Sequence, residues 1–141
     1  MLAKTVEISA QYARLQARFR EGIYGGIDVT GNNVPAVPKD RFSANFGWQV
    51  AAGTRLNFNL VYVGDQIYDN DQANRFRKMP SYGIADIKLS RDFGNWRLAA
   101  GVNNLFDEKY YTYGVVNSTY NSFIAYPEDR RNAYVSAEYR F

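Results

Sequence analysis

The sequence predicts an all-β protein, an antiparallel up-and-down meander of about six strands forming part of a transmembrane β-barrel. Three observations predict it. Apolar and polar residues alternate with period two along most of the chain. The connections between alternating segments run long, short, long, short, long. Aromatics reach 16% although the mean hydropathy is −0.44, the mixture produced by strands with one apolar and one wet face.

The first element, about 5–19, is the least regular. Val6, Ile8, Ala10 and Tyr12 share one parity, and Ala13, Leu15, Ala17 and Phe19 share the other. A one-residue bulge near Tyr12 would restore a single face; a helix is the rival, because Ala, Leu, Gln and Arg favour it. The second element, 41–50, is the clearest, with Phe42, Ala44, Phe46, Trp48 and Val50 opposite Arg41, Ser43, Asn45 and Gln49. The third, about 54–68, sets Leu56, Phe58, Leu60 and Tyr62 against Arg55, Asn57 and Asn59. In the fourth, about 82–93, Ala85, Ile87, Leu89 and Phe93 oppose Asp86, Lys88, Ser90 and Asp92, and Arg91 interrupts the apolar side. The fifth, about 96–111, places Leu98, Ala100 and Val102 opposite Arg97, Gly101 and Asn103. The last, 132–141, places Ala133, Val135, Ala137, Tyr139 and Phe141 opposite Asn132, Ser136, Glu138 and Arg140.

The short connections, Ala51-Ala52-Gly53 and Gly94-Asn95, are hairpin turns. The long ones, about 20–39, 69–81 and 113–131, carry Gly, Asn and Pro. In a meander, alternate connections lie at the same end, so short turns gather at one end and long loops at the other. Bacterial outer-membrane barrels have this asymmetry. The segments also match the roughly 9–11 residues of a tilted membrane strand; soluble strands usually run about five or six. Trp48, Phe93, Trp96, Tyr139 and Phe141 lie near the short-turn end, and Tyr62, Tyr68, Tyr82, Tyr110 and Tyr111 toward the long-loop end. Two aromatic belts at the two membrane interfaces account for that placement; the general strand preference of aromatics is the plainer account.

Composition excludes several functions. The chain has no Cys and no His, which removes disulfides, thiolate sites, Ser-His-Asp catalysis and the usual zinc ligands. A net charge of +3 without a dense basic run gives nucleic-acid binding no support. No stretch approaches the roughly 18 apolar residues of a spanning helix. Met1-Leu2-Ala3-Lys4 opens no secretory signal, so the membrane reading expects a longer parent chain. Asp65, Asp69 and Asp71 read as a solvated loop, since no twelve-residue calcium pattern follows. Gly22, Gly25 and Gly26 lack the downstream Lys-Ser or Lys-Thr of a phosphate cradle. Asn117-Ser118-Thr119 matches a glycosylation acceptor, which carries little weight in a bacterial context.

The segment Gly101-Val-Asn-Asn-Leu-Phe-Asp-Glu-Lys-Tyr-Tyr111, followed by Pro127, Arg130 and a final Tyr139-Arg140-Phe141, resembles the C-terminal end of TonB-dependent receptors. Glu128-Asp129-Arg130-Arg131 departs from the family in lacking a Gly beside the Arg. Ala17-Arg-Phe-Arg-Glu-Gly22, Val37-Pro-Lys-Asp-Arg41 and Tyr62-Val-Gly-Asp65 fit more loosely. The resemblance implies that residues 1–141 are the C-terminal portion of a 22-stranded barrel, without the plug domain. It implies a receptor for active uptake of a scarce nutrient, foremost a ferric siderophore, in the bacterial outer membrane. The implied partners are outer-membrane lipid, the rest of the barrel and its plug, the nutrient, the barrel assembly machinery and, only through the missing plug, the energy-coupling protein TonB. No cofactor or enzymatic activity is implied. Val135, Ala137, Tyr139 and Phe141 resemble the outer-membrane assembly signal; an ordinary amphipathic strand is the alternative.

Loop residues suited to an anionic or aromatic ligand are Tyr24, Tyr68, Arg75, Arg77, Lys78, Tyr113 and Tyr120; alternatively they line the barrel mouth and meet only water or headgroups. A soluble all-β binding module and a pore assembled from several six-stranded copies are the competing functions. Taken alone, the chain is expected to form an open curved sheet with two exposed edges and to transport nothing.

Overall fold

The computed structural model describes residues 5–117, 119 and 121–141. Among them are ten strands and no helix: β1 (Val6–Arg14), β2 (Ile23–Tyr24), β3 (Ile27–Asp28), β4 (Asp40–Ala51), β5 (Thr54–Val63), β6 (Tyr82–Phe93), β7 (Trp96–Asn103), β8 (Tyr111–Asn117), β9 (Ser122–Pro127) and β10 (Asn132–Tyr139). Six of them form one antiparallel sheet in the order β1-β4-β5-β6-β7-β10. The others form two hairpins, β2–β3 and β8–β9, inside the first and third long connections. The sheet does not close: β1 and β10 are its edges.

Register carries the alternation of the sequence across all six strands. Ile8 faces Phe46, Phe46 faces Phe58, Phe58 faces Ile87, Ile87 faces Val102 and Val102 faces Ala133. One continuous apolar face results. Ile8 is 74% exposed and Val135 84% exposed, so no second layer covers that face among the described residues. A soluble sandwich would bury it. The opposite face is a polar ladder. Arg55 crosses Gly47 to ion-pair with Glu7, Asn59 donates to Asp86 at 3.3 Å, and Asn103 donates to Asn132 at 2.9 Å. Cross-strand pairs of this kind fix register.

The structure corrects the sequence reading in two places. β1 pairs with β4 from Val6 to Arg14 without a register shift, so there is neither a bulge near Tyr12 nor a helix. The parity changes because the strand ends: Leu15, Ala17 and Phe19 lie beyond it in the first connection, where Leu15 N–H reaches Lys39 O at 2.8 Å. The third and fifth strands stop at Val63 and Asn103, short of the expected 68 and 111. Their last residues belong to folded loops.

The core sits at the long-loop end. Val29, Ile67, Tyr68, Met79 and Val116 are buried there, together with Val63 at the loop end of β5, whereas Ala85 and Ala99 are the other buried hydrophobic residues within the sheet among the described residues. The sheet is thus held mainly by its hydrogen-bond ladder, and the loops carry a hydrophobic cluster of their own. Gly101 shows how closely the wet face packs: a Cβ there would lie 2.6 Å from the Tyr134 ring of β10, so only glycine lets that ring cross the strand.

Candidate functional site

The second long connection, 64–81, is the hub of the loop end. Its two arms pair through Gln66 and Met79, with N–H···O distances of 3.2 and 2.8 Å. Met79, Tyr68 and Val116 form a small core with Phe76, Tyr111, Phe123 and Ala125 packed around it. Tyr68 tilts against Phe123 at 5.0 Å between centroids and lies across Gly114, where a Cβ would come within 2.5 Å of the ring. Asp69 ties this hub to the third connection: its N–H reaches Gly114 O and its O accepts from Val116 N, both at 2.9 Å.

Two polar side chains organise the tip. Asp71 is 2% exposed; its carboxylate accepts the Arg75 N–H at 2.8 Å and the Phe76 N–H at 3.1 Å, which satisfies a buried charge. Asn74 has φ of 52°, a conformation Asn tolerates. Its side-chain oxygen accepts the Asn33 N–H at 2.8 Å, and its amide donates to Asn33 O at 3.0 Å. The first connection is thereby pinned to the second.

The motif at Asn103–Asp107 is a clamp. Asn104 is buried; its side-chain oxygen accepts the Glu108 N–H at 2.8 Å, and its amide donates to Glu108 O at 2.9 Å and Asp129 O at 3.3 Å. Asp107 accepts two bonds from the Arg130 guanidinium, at 2.8 and 2.5 Å, and the Arg131 N–H at 3.1 Å. These contacts join the end of β7 to the start of β10. The Arg130 hydrogen bonds, aided by the Arg131 N–H, hold the Asp107 carboxyl well below the usual carboxylate range.

The predicted ligand residues separate on inspection. Tyr24, on the β2–β3 hairpin, is half exposed, as is Tyr113. The Tyr113 hydroxyl donates to Asp69 at 2.6 Å, a bond that raises its pKa, and its ring lies 5.7 Å from Tyr126. Arg75 and Arg77 are exposed, with Arg77 held 4.5 Å over Phe123. Lys78 is paired with Asp65 at 2.5 Å. Tyr68 is corrected from ligand candidate to packing residue, because its ring is buried in the loop core. Tyr120, and Ser118 of the acceptor pattern, lie outside the described residues. Asp71, expected in a solvated loop, is corrected to a buried residue that organises the loop tip through the Arg75 and Phe76 N–H groups; the roles of Asn74 and Asn104 were missed, although Asp71-Gln-Ala-Asn74 carried a signal, an Asp with its turn partner three residues on.

At the short-turn end, Trp96 meets Tyr139 at 5.0 Å and Tyr139 meets Phe141 at 5.2 Å. Phe93 pairs in register with Trp96, and Trp48 stands apart, between Val6 and Leu56.

An antiparallel meander with one unpartnered apolar face, long connections gathered at one end and aromatics beside the short turns at the other is a segment of barrel wall. Residues 5–105 match the family model described as TonB dependent receptor-like, beta-barrel, and the chain belongs to that family. Among solved structures, it is similar to the siderophore receptor PiuA from Acinetobacter baumannii, with 25% identity, a TM-score of 0.76 and coverage of 96% of this chain and 19% of that one. It is similar to the ferric citrate transporter FecA, with 26% identity, a TM-score of 0.78 and coverage of 94% and 20%. The ferripyoverdine receptor of Pseudomonas aeruginosa shares the fold, with 22% identity, a TM-score of 0.67 and coverage of 99% and 18%. The chain therefore spans about a fifth of the length of the receptors it matches. The family and these neighbours are transport receptors, not enzymes, and family members are outer-membrane proteins.

Proposed function

We propose that this chain is the C-terminal wall of an outer-membrane receptor barrel that takes up a scarce nutrient of the ferric-siderophore class. The observation that carries the reading is the joint match, at 25% and 26% identity, to a siderophore receptor and a ferric citrate transporter over nearly the whole chain. The two free edges β1 and β10 are where the remaining strands would pair, and the wet ladder would face a plug. TonB would act through that plug. Tyr24, Arg75, Arg77 and Tyr113 are the exposed residues that would meet an anionic, aromatic-rich chelate. Val135, Ala137, Tyr139 and Phe141 would present the assembly signal, and the aromatics at the short turns would rest at the lipid interface.

The test uses a complete receptor containing this chain, produced in cells stripped of their own ferric-chelate receptors. Growth restored by a ferric siderophore or ferric citrate as sole iron source is the expected result. A receptor that reaches the outer membrane but rescues uptake only of an iron-free nutrient overturns the substrate class. One that never reaches the outer membrane overturns the location.

A further inference from the structure

Arg91 lies on the apolar face of β6, between Leu89 and Phe93, opposite Thr54 and Leu98. It is exposed, and the described residues give its guanidinium no ion-pair partner. Its neighbour on the wet face, Arg97, is clamped by Asp92 at 2.7 and 3.0 Å. A cation standing alone on a lipid-facing surface is costly unless something anionic meets it.

The surface beside it has a shape. A shallow apolar depression of about 480 Å³ begins at Arg91 and is bounded by Leu89, Leu98, Ala100, Val135 and Ala137. It runs on into a second, of about 570 Å³, that shares Leu89, Ala100 and Val135 and reaches Ile87 and Ala133. The register explains the groove: Ala100 sits between Leu89 and Val135, Ala137 beside Leu98, and Ala133 beside Val102. Three alanines form a low floor between taller neighbours. From Arg91 to Ile87 the strand advances about 13 Å, close to half of a hydrocarbon core of roughly 30 Å. Phe93, Trp96 and Tyr139 mark the headgroup level just below.

We propose that this face holds an anionic phospholipid of the membrane leaflet at the short-turn end, with an acyl chain along the alanine groove and the phosphate on Arg91. The proposal rests on the outer-membrane reading above. A groove one leaflet long, with a single unpaired cation at headgroup depth, matches one lipid of that leaflet in both length and charge.

The test is native mass spectrometry of the complete receptor, titrated in micelles with phosphatidylglycerol or with zwitterionic phosphatidylethanolamine. The wild type is expected to retain phosphatidylglycerol about fivefold better, the equivalent of about 1 kcal/mol for one surface cation. Arg91→Gln brings that ratio close to one, and Arg91→Lys keeps most of it. Ala100→Phe fills the groove and lowers retention of both lipids while leaving their ratio. Lys88→Gln, which removes a cation from the wet face, changes neither. A wild-type ratio near one, an unchanged ratio in Arg91→Gln, or stronger retention of lipopolysaccharide than of either phospholipid overturns the proposal. Heat-modifiable migration of the wild type separates the two readings: its absence sinks the barrel itself, whereas its presence without a lipid preference sinks only the lipid site.

Discussion

Truncating Met79 to Ala should loosen the loop end and leave the wall intact. Met79 is 2% exposed, the largest side chain so deeply buried among the described residues. Its removal takes away the transfer free energy of its thioether arm and leaves a cavity beside Tyr68 and Val116. Such truncations cost about 2–5 kcal/mol. This cluster is small and rimmed by half-buried residues, so part of it can collapse and the lower end applies, about 2–3 kcal/mol. The backbone pairing of Gln66 with Met79 remains, so the loss should appear as local opening. Hydrogen exchange on a complete receptor is the assay. Amides of the hub, those of Gln66, Asp71 and Asn74, should exchange about 30- to 150-fold faster, while Ala44 and Leu60 in the sheet should not change. Hub exchange altered by less than about threefold, or equal acceleration in the sheet, refutes a separate loop core.

Other perturbations address the remaining contacts. Asn74→Ala removes all three side-chain bonds to Asn33 and leaves a Cβ without a compensating polar group at φ 52°; a local cost of about 1–3 kcal/mol should show as faster exchange at Asn33 with Met79 unaffected. Gly101→Val should displace the Tyr134 ring and lower the temperature at which the folded band disappears on a gel, and adding Tyr134→Ala should restore part of it. The Asp107 clamp has a pH sign: its carboxyl titrates below the ordinary 3.8, so its contribution is fully present above that value and is lost only as pH falls below it. Protease nicking in the third connection should therefore stay flat from neutral pH down to about 4 and, in Asp107→Asn, should be raised across that whole range.

Much of the wall was legible because a barrel strand repeats one simple constraint. Phe42 to Val50 alternates without a break, since successive side chains point to opposite faces of the sheet, one apolar and one polar, and the register then propagates that choice across the sheet. Leu15 to Phe19 misled for the opposite reason: the alternation survives in residues that have left the sheet, where Leu15, Ala17 and Phe19 make backbone bonds to Lys39, Val34 and Asn32 instead. The β8–β9 hairpin was hidden because Tyr113, Val115 and Ile124 build short strands inside a loop, outside the six-stranded sheet whose alternation marks the other strands. Asp107 and Arg130 were read as parts of a resemblance, but the reason for their spacing, a bidentate bond across 23 residues, required the fold. Tyr68 could not be assigned from sequence, since an interfacial ring and a buried one look alike until their neighbours are known.

On the proposed function, this meander crosses the outer membrane with its long connections outside. The chain contains no Cys, so single cysteines can be placed at Glu21 and Lys109 in the long connections and at Ala52 and Asn95 in the short turns, all exposed positions. Intact cells producing the complete receptor are treated with a membrane-impermeant maleimide. Labelling at Glu21→Cys and Lys109→Cys in intact cells, with Ala52→Cys and Asn95→Cys reacting only after the outer membrane is opened, is the predicted result. Equal labelling at all four positions, or the reverse pattern, contradicts it.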